Sequence, residues 1–161
     1  MNKKIIFSAG GTGGHIFPAI NLMKHFYDIG YEVILVTDKR GNSFLEDNKV
    51  FKSYIIDSET PNNKNIIKKI YSLFIILYSL LRAILILKKE RPNLVIGFGG
   101  YVSFPICYAS KFFKLPLIIY EANLILGRTN KYLLSFAKKI FLSRAIKINF
   151  PEKFKKKVYE V

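Results

Sequence analysis

Four glycines within five positions, in the run Ser8-Ala9-Gly10-Gly11-Thr12-Gly13-Gly14-His15, constrain this chain more than any other stretch. Before them, residues 3–7 read as a short buried strand. After them Phe17, Ala19, Ile20, Met23, Phe26 and Tyr27 recur at helical spacing, with Asn21, Lys24, His25 and Asp28 on the opposite face. Pro18 is expected in the first turn of that helix, where its missing N–H costs nothing. A strand that turns on glycine into a helix lets its backbone come close to a ligand. It also points free N–H groups and the positive end of the helix dipole at that ligand. Such a turn suits a phosphate or pyrophosphate. Two familiar versions are excluded by spacing. Counted from Gly11, Ile16 stands where the dinucleotide fingerprint needs its last glycine, and no Gly-Lys-Ser/Thr follows as in a P-loop. The bland alternative is a tight turn that only packs. A histidine among small residues at the helix start favours the ligand site.

The rest of the chain alternates strands with helices. Strands are expected at 31–37, 50–57, 93–98, 117–120 and 139–142, and the first helix should end near Gly30. Further helices are expected at 70–87, 102–113 and 124–137, with room for one short helical turn in 38–48 and a turn at Pro61-Asn62-Asn63. This alternation predicts an α/β fold, a Rossmann-like doubly wound parallel sheet in a single domain over 1–161. In such sheets ligands bind outside the carboxyl ends of the strands. Three unusual segments fall there: the first glycine turn, Gly97-Phe98-Gly99-Gly100-Tyr101, and Glu121-Ala122-Asn123.

Composition narrows the classes. Half of the 161 residues are hydrophobic, which supports a packed core and excludes disorder. Lysine and arginine number 26 against 11 acids, a formal charge of +15 that raises nucleic acid or an anionic membrane as partner. Only five of the cations are arginine, the side chain preferred for reading bases and phosphates, so nucleic acid is set aside. Cys107 is alone in an apolar run and reads as a core residue of a protein from a reducing cytoplasm. The apolar stretch before the glycines is too short for a signal-peptide core. No D-x-D and no His/Cys cluster suggests a metal, and no cofactor is indicated.

Taken in order, Gly10 to His15 with Phe17-Pro18, Gly99-Gly100-Tyr101-Val102-Ser103, Glu121-Ala122-Asn123 and Thr129-Asn130-Lys131 resemble the amino-terminal domain of the MurG family. That family comprises bacterial N-acetylglucosaminyltransferases of peptidoglycan and cell-wall synthesis. The resemblance implies one half of a GT-B type glycosyltransferase, the acceptor-binding half, with a basic tail at 145–161 leading toward a donor-binding domain. It implies transfer from UDP-N-acetylglucosamine to undecaprenyl-pyrophosphoryl-N-acetylmuramyl-pentapeptide (lipid I), giving lipid II, with inversion. Ala122 stands where the family usually has glutamine, Tyr120 replaces a usual histidine, and Phe104 replaces a small residue.

His15 is the candidate catalytic base for the attacking sugar hydroxyl, and equally a candidate phosphate ligand or helix cap. Thr12, Gly13 and Gly14 offer a hydroxyl and N–H donors, which the resemblance directs at the donor. Asn123 both donates and accepts, which suits a sugar hydroxyl of the donor. Gly10, Gly11, Gly99, Gly100 and Tyr101 are placed by the resemblance near the acceptor pyrophosphate. Glu121 is the second catalytic candidate, as a carboxylate that orients His15 or Asn123; otherwise it is a capping or surface acid.

The 70–87 run is apolar or aromatic except for Ser72, Ser79 and Arg82, which share one narrow helical stripe. It is marginal as a spanning helix, and Arg82 near its middle is costly there. A plain buried crossover would show a broader polar face. The preferred reading is a crossover helix with a lipid-facing patch of Ile70, Leu73, Phe74 and Leu77, rimmed by Lys64, Lys68, Lys69, Arg82, Lys88 and Lys89. The expected location is therefore peripheral, on the cytoplasmic face of the bacterial inner membrane. The expected partners are UDP-N-acetylglucosamine, lipid I, an anionic membrane surface and a donor-binding domain or subunit. The alternative is a non-catalytic, membrane-recruiting acceptor-binding subunit. In either case the 161-residue chain alone is expected to be inactive.

Overall fold

Near-continuous apolar runs need cover on both faces, and the central strands have it. In the computed structural model, Lys4–Ser8 (β1), Glu32–Thr37 (β2) and Leu94–Gly97 (β4) are buried along almost their whole length. With Lys52–Ile55 (β3), Leu117–Glu121 (β5), Lys139–Leu142 (β6) and Val158–Glu160 (β7) they form one parallel sheet. The structure describes residues 3–45, 51–57, 66–142 and 150–161, the side chain of Ile67 apart. Among these the strand order is β3-β2-β1-β4-β5-β6-β7. The direction of winding reverses between β1 and β4, the switch point at which such sheets bind ligands. The register there is close: Ser8 pairs with Val36 on one side and Gly97 on the other.

Two cores flank the sheet. Ile16, Ala19, Ile20 and Met23 of Gly13–Asp28 (α1) pack with Phe7, Leu35, Ile96 and Phe98 on one face. Lys39–Ser43 (α2), capped by Asp38 Oδ1 on the Gly41 amide at 2.6 Å, leads to Leu45 in the same core. The other face carries Ile66–Glu90 (α3), Ser103–Ala109 (α4) and Arg128–Leu133 (α5). Ala83, Ile86, Leu87, Ile106, Cys107, Leu133 and Leu134 from these helices share its core. Cys107 is buried against Gly97, and burial pushes its thiol well above the usual range, so it is a packing residue.

The expected elements are present, with shifted ends. α1 starts at Gly13, so Pro18 falls inside the helix and not in its first turn. The reason is that Gly13 and Gly14 are themselves helical. Pro18 then leaves the Gly14 carbonyl without its i+4 amide. The expected 102–113 helix stops at Ala109, because the hydroxyl of Ser110 donates to the Cys107 carbonyl and the Leu115 amide to the Ser110 carbonyl. The expected 124–137 helix is reduced to α5. α3 is longer than expected at both ends. Of the basic tail, Glu152–Lys157 forms a 3-10 helix and Val158–Glu160 pairs with β6. Val50, Lys64, residues 145–149 and the Pro61-Asn62-Asn63 turn lie outside the described residues.

At the amino ends of the strands sits an ionic knot. Glu90, 4% exposed at the end of α3, accepts from Lys52 Nζ at 2.7 Å, Lys4 Nζ at 3.1 Å and the Tyr54 hydroxyl. Burial alone would raise its pKa, but the hydrogen bonds from Lys52, Tyr54 and Lys4 outweigh it and hold the carboxyl down at about 2, from 4.5. A folded value below the unfolded one means that the carboxylate stabilises the fold above about pH 4.5 and that this contribution drains away as pH falls toward 2. Glu90→Gln is expected to lower the unfolding free energy by roughly 2–3 kcal/mol at pH 7. Urea denaturation of both proteins from pH 7 to pH 3 checks this: the gap should shrink on acidification, and a constant gap would place the stabilisation elsewhere.

Candidate active site

The two glycine turns follow β1 and β4, adjacent parallel strands, so both emerge at the switch point side by side. Their separation is set by missing side chains. A Cβ on Gly100 would stand 3.0 Å from the Gly10 carbonyl oxygen, and a Cβ on Gly10 would stand 2.7 Å from Val102 Cγ2. Gly99 and Gly100 also hold φ of 91° and 79°, which L side chains resist. Ser103 locks the second turn by donating from its hydroxyl to the Gly100 carbonyl at 2.9 Å. Backbone meets backbone here because nothing larger than glycine fits.

His15 is in the first turn of α1 and its ring lies against the second glycine turn. A Cβ on Gly99 would touch His15 Cε1 at 3.2 Å and Asn130 Nδ2 at 3.3 Å. His15 Nδ1 and Asn130 Oδ1 are enclosed and have no hydrogen-bond partner among the described residues. Both therefore carry unused bonding capacity beside one cleft, where an unpaired polar atom is costly. The cleft measures about 280 Å³ and is lined by His15, Gly99, Gly100, Tyr101, Glu121, Gly127, Arg128, Thr129 and Asn130. Arg128 brings a cation, and Glu121 is the one carboxylate among these lining residues.

That carboxylate is fully engaged. Glu121, 1% exposed at the end of β5, accepts through Oε1 from the Asn123 side-chain amide at 2.7 Å and backbone amide at 3.2 Å. Through Oε2 it accepts from the Gly127 amide at 2.8 Å and Asn130 Nδ2 at 2.9 Å. Capture of these amides folds 122–127 as a turn and explains why α5 starts only at Arg128. Of the two partners expected for Glu121, it holds Asn123 and makes no bond to His15. It fixes Asn123, Asn130 and the Gly127 amide in place.

The expected site residues thus divide. His15, Gly99, Gly100, Tyr101 and Glu121 share the cleft. Gly10 supports it through its contact with Gly100. Gly11, Thr12, Gly13 and Gly14 form the edge where α1 begins, outside the cleft lining. There Thr12 makes no side-chain cap, and its carbonyl takes the amides of His15 and Ile16. The amides of Gly13 and Gly14, at the first helical positions, point outward by the rule of helix starts. Asn123 is exposed beside its carboxylate. Gly127, Arg128, Thr129 and Asn130 are additions. Thr129-Asn130-Lys131 stood out in the sequence, but in an expected helix it suggested no inward-facing amide.

α3 presents its surface the wrong way round for a soluble crossover. Ser72 and Ser79 are buried, donating to the carbonyls of Lys68 and Asp57. Ile66, Ile70, Leu73, Phe74, Leu77, Leu81 and Leu85 are exposed, a stripe about 28 Å long at 1.5 Å per residue. Lys68, Lys69, Lys88 and Lys89 are exposed and Arg82 is half-buried. By length and composition, Lys68–Glu90 could cross a membrane.

Removing Glu121 should unfasten the turn before it unfolds the protein. Glu121→Ala is expected to cost roughly 2–3 kcal/mol and to abolish exchange protection at the Gly127 amide. Hydrogen exchange by NMR measures this, with β1 and β2 amides as the internal reference. Retained protection at Gly127 would contradict the role given to the carboxylate.

Known proteins resemble this chain in sequence and fold. Residues 5–142 match the glycosyltransferase family 28 N-terminal domain. The chain is 40% identical over 156 residues to the UDP-N-acetylglucosamine--N-acetylmuramyl-(pentapeptide) pyrophosphoryl-undecaprenol N-acetylglucosamine transferase of Rickettsia felis, covering 97% of this chain and 42% of that protein. It is 37% identical to the protein of the same name from Pelagibacter ubique, covering 98% of this chain and 44% of that one. Among solved structures it superposes on MurG of Acinetobacter baumannii with a TM-score of 0.84 at 30% identity, over 99% of this chain and 45% of that one. The chain spans less than half the length of these relatives.

Proposed function

The chain belongs to the glycosyltransferase family 28 N-terminal domain family, and from that premise we propose that it forms the acceptor-binding half of an inverting N-acetylglucosaminyltransferase. The donor is UDP-N-acetylglucosamine and the acceptor is lipid I, the two substrates that the relatives' names specify for those proteins. One observation carries the reading: two glycine turns meet edge to edge around a histidine at a helix start. The cleft between them has an arginine, a bound-up carboxylate and two unused polar atoms, which suits an anion next to a sugar.

In this reading the acceptor pyrophosphate lies along Gly99, Gly100 and Tyr101, with Gly10 and Gly11 behind. The sugar hydroxyl gives its proton to His15 as its oxygen attacks the anomeric carbon from the face opposite the departing UDP. The new carbon–oxygen bond forms as the bond to the UDP phosphate oxygen breaks, inverting the centre. Thr12, Gly13 and Gly14 meet the donor diphosphate at the start of α1, and Asn123, held by Glu121, meets a sugar hydroxyl. A donor-binding domain supplies the remaining contacts. A short-chain lipid I analogue should bind the 161-residue chain, and no transfer should follow on adding donor. With the donor-binding domain joined, His15→Ala should lower kcat by roughly 10²–10⁴-fold if the residue is the base. A rise in acceptor KM at unchanged kcat would make it a phosphate ligand instead.

We further propose peripheral attachment to the cytoplasmic face of the inner membrane through α3. An exposed apolar stripe of this size is unusual for a soluble monomer, and lipid covers it. The helix is packed against α4 and onto the sheet through Ala83, Ile86 and Leu87, so crossing a bilayer would require tearing it from the core. Its lysines each add about 1 kcal/mol near an anionic surface before screening. Phe74→Ser/Leu77→Ser should reduce co-sedimentation with anionic vesicles, and salt should do the same to the wild type. Binding indifferent to both would remove this attachment.

A further inference from the structure

We infer that the Leu124–Ile125 turn is a second membrane-contacting element, a lipid-inserted tip at the mouth of the cleft and separate from α3; the inference rests on the peripheral reading above. Leu124 is 70% exposed and Ile125 is 81% exposed, more than any large apolar residue of the α3 stripe. Such display would be unremarkable on a loose loop. This loop is held: the Glu121 carboxylate grips the amides on both sides of the pair, Asn123 before and Gly127 after. A rigid turn that projects two adjacent aliphatic side chains into water is destabilised by that hydration, unless something apolar covers them.

Its surroundings select lipid as the cover. Arg128, Lys131 and Tyr132 of α5, at i, i+3 and i+4, are all exposed on one face behind the turn. An apolar tip backed by two cations and an exposed tyrosine has the make-up of an interfacial anchor: hydrocarbon for the tip, an amphipathic ring at the headgroups and positive charge for anionic lipid. Placement agrees with composition. α3, α4 and α5 share one layer and one core on the same side of the sheet. α3 begins, after β3, at the carboxyl edge where the turn projects, so its Ile66 and Ile70 end and the turn both serve the cleft side of that layer. Gly127 and Arg128, the residues just after the tip, line the cleft itself. A tip inserted there seats the cleft opening against the bilayer, where a polyprenyl-linked acceptor would emerge.

The chain contains no tryptophan, so single introduced tryptophans report one position each. Ile125→Trp, Phe74→Trp and, as a reference on the opposite helical layer, Ile29→Trp are mixed with phosphatidylglycerol-rich vesicles carrying brominated acyl chains. Blue-shifted and bromine-quenched emission is expected from Ile125→Trp and Phe74→Trp, and neither change from Ile29→Trp. Leu124→Ser/Ile125→Ser should weaken vesicle affinity about tenfold without changing the melting temperature. Quenching at Phe74→Trp with none at Ile125→Trp would overturn the inference and leave the α3 reading standing. No quenching at either position would remove both. Equal quenching at all three positions would mean unspecific adsorption and would also overturn it, as would an Ile125→Trp emission that shifts with an added donor-binding domain but not with vesicles.

Discussion

The close approach of two glycine turns is the constraint on which the rest of this structure depends. Parallel pairing of β1 with β4 brings the residues after Ser8 and after Gly97 to the same place, and only backbone fits between them. His15 gains its position from this contact, since the helix that carries it starts directly out of the first turn. Its ring then rests on the second turn. Asn130 reaches the same point from a third segment. A side chain on Gly100 would separate the turns and carry the histidine away from the amide and cation that complete the cleft.

Two buried carboxylates show how differently the ends of the sheet are built. At the amino ends Glu90 is neutralised by two lysines and a tyrosine, a charge-paired knot that ties α3 to β1 and β3. At the carboxyl ends Glu121 is satisfied, among the described residues, by amide N–H groups alone. Neutral donors satisfy this carboxylate without bringing a cation into the cleft, where Arg128 is the cation among the lining residues. The first arrangement stabilises the fold. The second shapes a loop and a site.

α3 adds a third theme. Its serines face inward, where each finds a carbonyl, and Leu73, Phe74, Leu77, Leu81 and Leu85 face outward. Both buried hydroxyls are satisfied, while the outward stripe stays available to another apolar phase. The same layer carries the tip before α5, so the apolar surface of the protein is concentrated on one side of the sheet.

Local pattern in the sequence was enough for the strand–helix alternation, the parallel doubly wound sheet, the two glycine turns and the histidine at a helix start. These are legible because periodicity, glycine clustering and strand ends are properties of neighbouring residues. Tertiary structure alone decided which way each surface faces and what the carboxylates bind. That Ser72 and Ser79 form the inner stripe of α3 follows from the sheet on which it packs, and a lone helix carries no label for inside. The 124–137 segment reads as helix by composition, yet a carboxylate three residues before Leu124 captures its amides and delays the helix to Arg128. Asn130 enters the cleft for the same reason, since its inward face exists only once β5, the turn and α5 have been brought together by contacts that no local window contains.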